Sequence, residues 1–153
     1  MKKIAIFAIL LLLFVMLFVD QHGLEERRLG NAYLSLWIRD KEVVSPVVLD
    51  YRESGKYIVG IRLPAELTKC GYYESYIVEN IQQFFLLDTE TLETMYFYGY
   101  QEAYEAFKVV GVNDYISKLD SSRFDVMWGY FQAKYEKFSY YKDCEKKIDV
   151  MAH

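Results

Sequence analysis

"MYFYGYQEAYEAFKVV", residues 95–110, changes period in its middle, and that change decides the fold class. Its first half is an aromatic run that reads as the hairpin partner of "QFFLLD", residues 83–88, and it stops at Gly99. From Tyr100 the apolar residues fall at 100, 103, 104, 107 and 110, with Gln101, Glu102, Glu105 and Lys108 opposite. That spacing predicts an amphipathic helix of about three turns, closed by Gly111.

Upstream of the switch the pattern is that of strands. In "NAYLSLWIR", residues 31–39, Leu34, Leu36 and Ile38 alternate with Ser35, Trp37 and Arg39, the period of a half-buried strand. "VVSPVVLDY" is rich in β-branched residues, and its Pro46 suggests an edge or a bulge. "RESGK" reads as a turn and "YIVGIRL" as a third strand ending before Pro64. Residues 72–78 predict a fourth strand. The apolar run of "QFFLLD" predicts a strand covered on both faces.

Downstream, Ser122 and Asp125 of "SSRFD" have the spacing of a capping box. Behind them Phe124, Trp128, Phe131, Tyr135 and Phe138 form an aromatic helical stripe, interrupted on its polar side by Gly129. Strands first and helices last predict an α+β fold, a small antiparallel sheet with two C-terminal helices packed on it.

The N-terminus obeys a different logic. Ile4 to Val19 is an unbroken apolar run behind Lys2 and Lys3. As a helix it spans about 24 Å, slightly short of a hydrocarbon core of about 30 Å, a gap that lysine snorkelling closes. No small-residue cleavage pattern follows it, so the expectation is a retained signal anchor rather than a cleaved signal peptide. The domain plan that results is a transmembrane helix over 1–20 and a juxtamembrane linker over 21–30. An extracytoplasmic α+β domain over 31–143 and a loose tail over 144–153 complete it. The charge before the run predicts a bacterial inner-membrane protein with its C-terminal domain outside, periplasmic if there is an outer membrane.

The chain carries −4 overall, and without Lys2 and Lys3 it has sixteen basic and twenty-two acidic residues, so −6. This disfavours nucleic acid and anionic lipid surfaces as partners of the domain. Cys70 and Cys144 could pair in an oxidising compartment, closing a loop of about 75 residues that stabilises by about 4 kcal/mol; two unrelated thiols are the alternative.

His22 and His153 are the two histidines, one beside the apolar run and one at the last position. Ser-His-Asp and Cys-His catalysis are therefore disfavoured. No zinc-ligand spacing, dinucleotide fingerprint, phosphate loop or nucleophile elbow occurs, so no metal or cofactor is expected. Asp50, Glu53, Asp88 and Glu93 near strand ends offer a carboxylate enzyme as an alternative. "DTETLET" lacks the glycine and ligand spacing of a calcium loop and reads as a turn.

What remains is tyrosine: fifteen, with ten phenylalanines and two tryptophans. Alternation turns half of "GYYESY" and "YFYGY" outward unless both faces are covered. Exposed tyrosine is enriched in binding surfaces. Tyr72, Tyr73, Tyr76, Tyr96, Tyr98 and Tyr100 are thus the candidate protein-binding residues, amphipathic core filling and glycan stacking being the competing uses. The expected function is a non-enzymatic anchored protein that binds another protein, such as an immunity or exclusion factor intercepting a toxin or phage component. An accessory subunit of an envelope complex, docking through the stripe from Phe124 to Phe138, is the second expectation.

Overall fold

The core forms around the strand foreseen in "QFFLLD". The structure, a computed structural model, describes residues 23–30 and 32–144. Here β8 (Gln83–Asp88) pairs antiparallel with β5 (Tyr57–Arg62), from Tyr57↔Asp88 to Arg62↔Gln83. β4 (Val48–Ser54) and β9 (Glu93–Phe97) flank them in the order β4-β5-β8-β9. Successive side chains of a strand point to opposite faces, and here both faces are apolar. Val59, Ile61, Phe84 and Leu86 join one core cluster, and Ile58, Phe85 and Leu87 join another.

The first cluster is closed by α1 (Tyr100–Val109), α2 (Arg123–Lys137) and two 3-10 turns, Asn113–Lys118 and Ser139–Asp143. Phe107 and Phe131, one from each helix, are fully buried, each stabilising by about 2–3 kcal/mol. The opposite cluster is closed by a three-stranded sheet, β1 (Leu24–Leu29), β2 (Tyr33–Ile38) and β3 (Lys41–Val44), which buries Leu36, Ile38, Val43 and Val44. A two-stranded hairpin, β6 (Ala65–Cys70) and β7 (Tyr73–Val78), adds Cys70, Ile77 and Val78 to the helix-side core. The chain is α+β, with small antiparallel sheets and a few C-terminal helices.

Several expectations change. The single sheet is three sheets. "VVSPVVLDY" is two strands, because the chain crosses at Ser45–Val47 from the three-stranded sheet to the central one, where Val47 and Leu63 exchange backbone hydrogen bonds of 2.9 Å. A proline cannot donate to a ladder, so the break falls there. Residues 24–29, foreseen within the linker, form β1 in register with β2 from Leu24↔Ile38 to Leu29↔Tyr33. The capping box is not made: Asp120 accepts from both the Ser122 N–H and its hydroxyl, and Ser122 gives α2 no side-chain cap.

The single-pass inner-membrane location with an extracytoplasmic domain is corrected: among the described residues no helix is long and apolar enough to cross a membrane. The run Ile4–Val19 on which that expectation rested lies outside the described residues, as does the tail beyond Cys144.

Candidate binding surface

The hairpin of β6 and β7 turns through two residues, Gly71 and Tyr72, between the paired Cys70 and Tyr73. Gly71 sits at φ 60°, the left-handed conformation that a two-residue turn needs at its first position and that glycine adopts without cost. This places Tyr72 at the apex, fully exposed, with Tyr73 beside it at 65 % exposure.

The underside of the tip is fastened. Cys70 and Cys144 form a disulfide across 74 residues of sequence. The Gly71 N–H donates to the Asp143 carbonyl at 3.1 Å. Both bonds hold the 3-10 turn Ser139–Asp143 against the hairpin, and this brings Tyr140 to 5.8 Å from the Tyr73 ring. The Phe138 ring lies 5.9 Å from that of Tyr140. Tyr73, Glu74, Ser75 and Tyr140 line a shallow cleft of about 360 Å³.

Beneath this surface lies a set of phenols organised by one lysine. Lys134 Nζ donates to the Tyr33 hydroxyl at 3.0 Å and lies over the Tyr33 and Tyr141 rings at 5.0 and 5.5 Å. Burial pulls the Lys134 pKa down, but its hydrogen bonds with Tyr141 and Tyr33 outweigh that and hold it raised. Burial likewise raises the phenols, and Tyr33 stays above its ordinary value for that reason. Tyr141 goes the other way, because hydrogen bonds with Lys134, Ser75 and Tyr140 overcome its burial. Its neighbour Tyr140, bonded to it and partly desolvated, is pushed up to about 12. The Tyr141 and Ser75 hydroxyls are 3.2 Å apart. With Tyr141 buried, this network braces the surface from below.

Tyr135 makes the deepest of these braces, accepting the Val78 N–H at 2.7 Å within the core. Tyr135→Phe keeps the ring but strands that N–H, so it lowers stability by about 1–3 kcal/mol in urea denaturation.

The six candidate tyrosines separate. Tyr72 and Tyr73 belong to the fastened tip. Tyr76 is half-buried, its ring 5.5 Å from Tyr33. Tyr98 and Tyr100 flank a different cleft of about 430 Å³, floored by Phe84. Tyr96 covers Arg62, whose guanidinium sits 4.8 Å from the ring centre and donates to the Tyr96 hydroxyl at 3.4 Å. Arg62 is 6 % exposed and also donates to the Ser45 carbonyl and hydroxyl at 3.1 and 2.6 Å. Its pKa is lowered by burial. Tyr96 therefore has a structural task.

Of the four carboxylates near strand ends, Asp50 and Asp88 are tied into the fold. Asp50 accepts from Arg52 at 2.7 Å and from the Asp120 N–H at 2.8 Å, tying β4 to the start of α2. Asp88 takes Lys56 at 3.0 Å and the N–H groups of Glu90 and Thr91 at 2.9 and 3.2 Å. Burial opposes its ionisation, yet these donors hold it below the usual carboxylate range. Glu53 and Glu93 lie along β4 and β9, Glu93 opposite Asp88. Among the described residues no three His, Cys, Asp or Glu side chains are placed to hold a metal ion.

Tyr140, Ser75 and Lys134 went unnoticed in the sequence, although a signal was present. Each cysteine stands beside a tyrosine pair, in "CGYY" and in "SYYKDC", so pairing the cysteines brings the tyrosine pairs together. No protein-family model, curated protein or solved structure matches the chain.

Proposed function

We propose that the chain is a non-enzymatic protein-binding module that presents the fastened tip of the β6–β7 hairpin to a partner protein. The observation that carries this reading is Tyr72, fully exposed at the apex of a turn whose underside is tied by a disulfide and a backbone hydrogen bond. A tyrosine wholly in water contributes nothing to the core. A tip fixed in advance loses little conformational entropy when it docks. Tyrosine also brings a large contact area with few rotatable bonds, which is why it recurs among residues that dominate binding energy. Tyr73, Tyr140 and Phe138 widen the apolar contact around it.

Docking through the aromatic stripe of α2 has less surface to offer, because Phe131 and Tyr135 are buried in the protein's own core, while Phe138 stands exposed beside the tip.

The test is capture of partners on the immobilised chain under oxidising conditions, followed by affinity measurement with variants. Tyr72→Ala and Tyr73→Ala each weaken partner binding by roughly thirtyfold, about 2 kcal/mol. Each leaves stability within about 0.5 kcal/mol, as exposed positions do. Val109→Ser, at an exposed site on α1, changes neither. A dominant partner that is secreted or foreign favours the immunity role, and a resident envelope protein favours the accessory role. Unchanged binding by both tyrosine variants removes the proposal.

A further inference from the structure

The cleft flanked by Tyr98 and Tyr100 lies apart from the fastened tip and calls for its own ligand. At about 430 Å³ it falls within the range of small-molecule sites. Its apolar surfaces are flat. Tyr100 is 52 % exposed, yet its ring is held in place, stacked 6.2 Å from Tyr104 at 17° and meeting the edge of Phe84 at 6.1 Å and 80°. Tyr98, at 65 % exposure, offers a second ring. Ile116 of the 3-10 turn Asn113–Lys118 and Leu119 just after it complete the apolar floor.

The polar groups of the cleft are neutral and two-sided. Gln82 supplies an amide, Ser117 and Ser121 supply hydroxyls, and each of these groups can both donate and accept. Ser117 spends its proton on the Asp114 carbonyl at 3.2 Å, which leaves its oxygen able to accept. The side chains of Gln82 and Ser121 make no hydrogen bond to another described residue. Among the described residues no Asp, Glu, Lys, Arg or His lines the cleft. An anionic or cationic ligand would meet no counter-charge there. A ligand with apolar faces and a rim of hydroxyls would meet rings on its faces and amide or hydroxyl groups at its edge.

We infer that this cleft binds a neutral sugar ring, a pyranose stacked on Tyr100 and Tyr98 with its hydroxyls on Gln82 and Ser121. The platform is set before the ligand arrives, so ordering costs little. The site is separate from the protein-binding tip, and either can hold without the other.

The experiment is a titration of the isotopically labelled full chain, followed by amide chemical shifts, with three probes. Two are neutral, chitotetraose and maltotetraose, and one is anionic, a tetragalacturonate. At least one neutral probe gives saturable shifts centred on residues 82, 98, 100, 117 and 121, and the anionic probe does not. Tyr98→Ala raises the Kd for that neutral probe about tenfold, the scale of a truncated contact residue. Because Tyr98 is mostly exposed, this variant keeps the fold, and its unperturbed spectrum outside the cleft verifies that. Gln82→Ala, tested in parallel, also weakens binding. The inference is overturned by the absence of saturable shifts at the cleft with either neutral probe, by equal binding of the anionic probe, by shifts centred on Tyr73 and Tyr140 instead, or by an unchanged Kd in Tyr98→Ala.

Discussion

Replacing Cys70 and Cys144 together by alanine lowers the stability of the domain by about 4 kcal/mol, the loop-closure entropy of a bridge spanning 74 residues. The same loss follows reduction of the natural protein, read as a fall in the urea midpoint when a thiol reductant is present. An effect this large is a sizeable part of the 5–15 kcal/mol that a domain has in total. Alanine is the right replacement because Cys70 is fully buried, where a serine hydroxyl would add a desolvation cost of its own. The consequence is local as well as global. The disulfide and the bond from Gly71 to Asp143 help the buried Tyr141 seat the 3-10 turn Ser139–Asp143 on the hairpin. Without the covalent link Tyr140 leaves Tyr73, and binding through the tip weakens even at temperatures where the central sheet stays folded. A urea midpoint that does not move on reduction would contradict this role.

Gly60→Ala costs about 3 kcal/mol or more, at or beyond the top of the usual range for overpacking. Gly60 is in the middle strand pair of the central sheet, opposite Tyr51 on one side and Phe85 on the other. The Phe85 ring lies directly over it, so an added methyl group would overlap two ring carbons and sit 2.6 Å from the Asp50 carbonyl oxygen. Neither neighbour can yield cheaply. The carbonyl is backbone, and Phe85 is fully buried among Leu36, Ile38, Val44 and Leu87. The glycine is thus required by close approach, and the aromatic ring takes the space its missing side chain leaves. Thermal or urea denaturation of Gly60→Ala measures the cost. Phe85→Leu in the same chain recovers part of it, giving a non-additive pair. Full additivity would mean that the ring and the glycine do not constrain each other.

The middle strands β5 and β8 were legible in the sequence because they are buried on both faces and so read as largely apolar runs. The helix α1 was legible from its 3.6-residue period. β1 was not, since "LEERRL" carries four charges and reads as a linker. It is an edge strand, where charge is tolerated and discourages further pairing. Arg27 pairs with Glu25 and Asp40 across its surface. The β2–β3 hairpin was hidden for a different reason. Its turn is Arg39-Asp40, both at positive φ without a glycine, so the usual Asn-Gly or Asp-Gly mark of such a turn is missing. β6 is mostly exposed and shows no apolar alternation.

The candidate surface was half legible. Tyrosine density pointed to Tyr72 and Tyr73, and alternation correctly sent some tyrosines outward. Alternation alone could not foresee that Tyr76 would pack at a tilt against Tyr33 or that Tyr96 would cover a buried arginine. Nor could it supply Tyr140, which arrives from far along the chain through the disulfide.

The fastened hairpin tip is the place we propose for docking of a partner protein. The most direct measurement is site-specific photo-cross-linking of the full chain in its own cells, with a benzophenone amino acid at Tyr72 or, for comparison, at the exposed Val109. One discrete cross-linked protein is expected from position 72, none from position 109, and that product is lost when Cys70 and Cys144 are both alanine. Equal products from both positions, or none from position 72 while the chain is folded and oxidised, would contradict it.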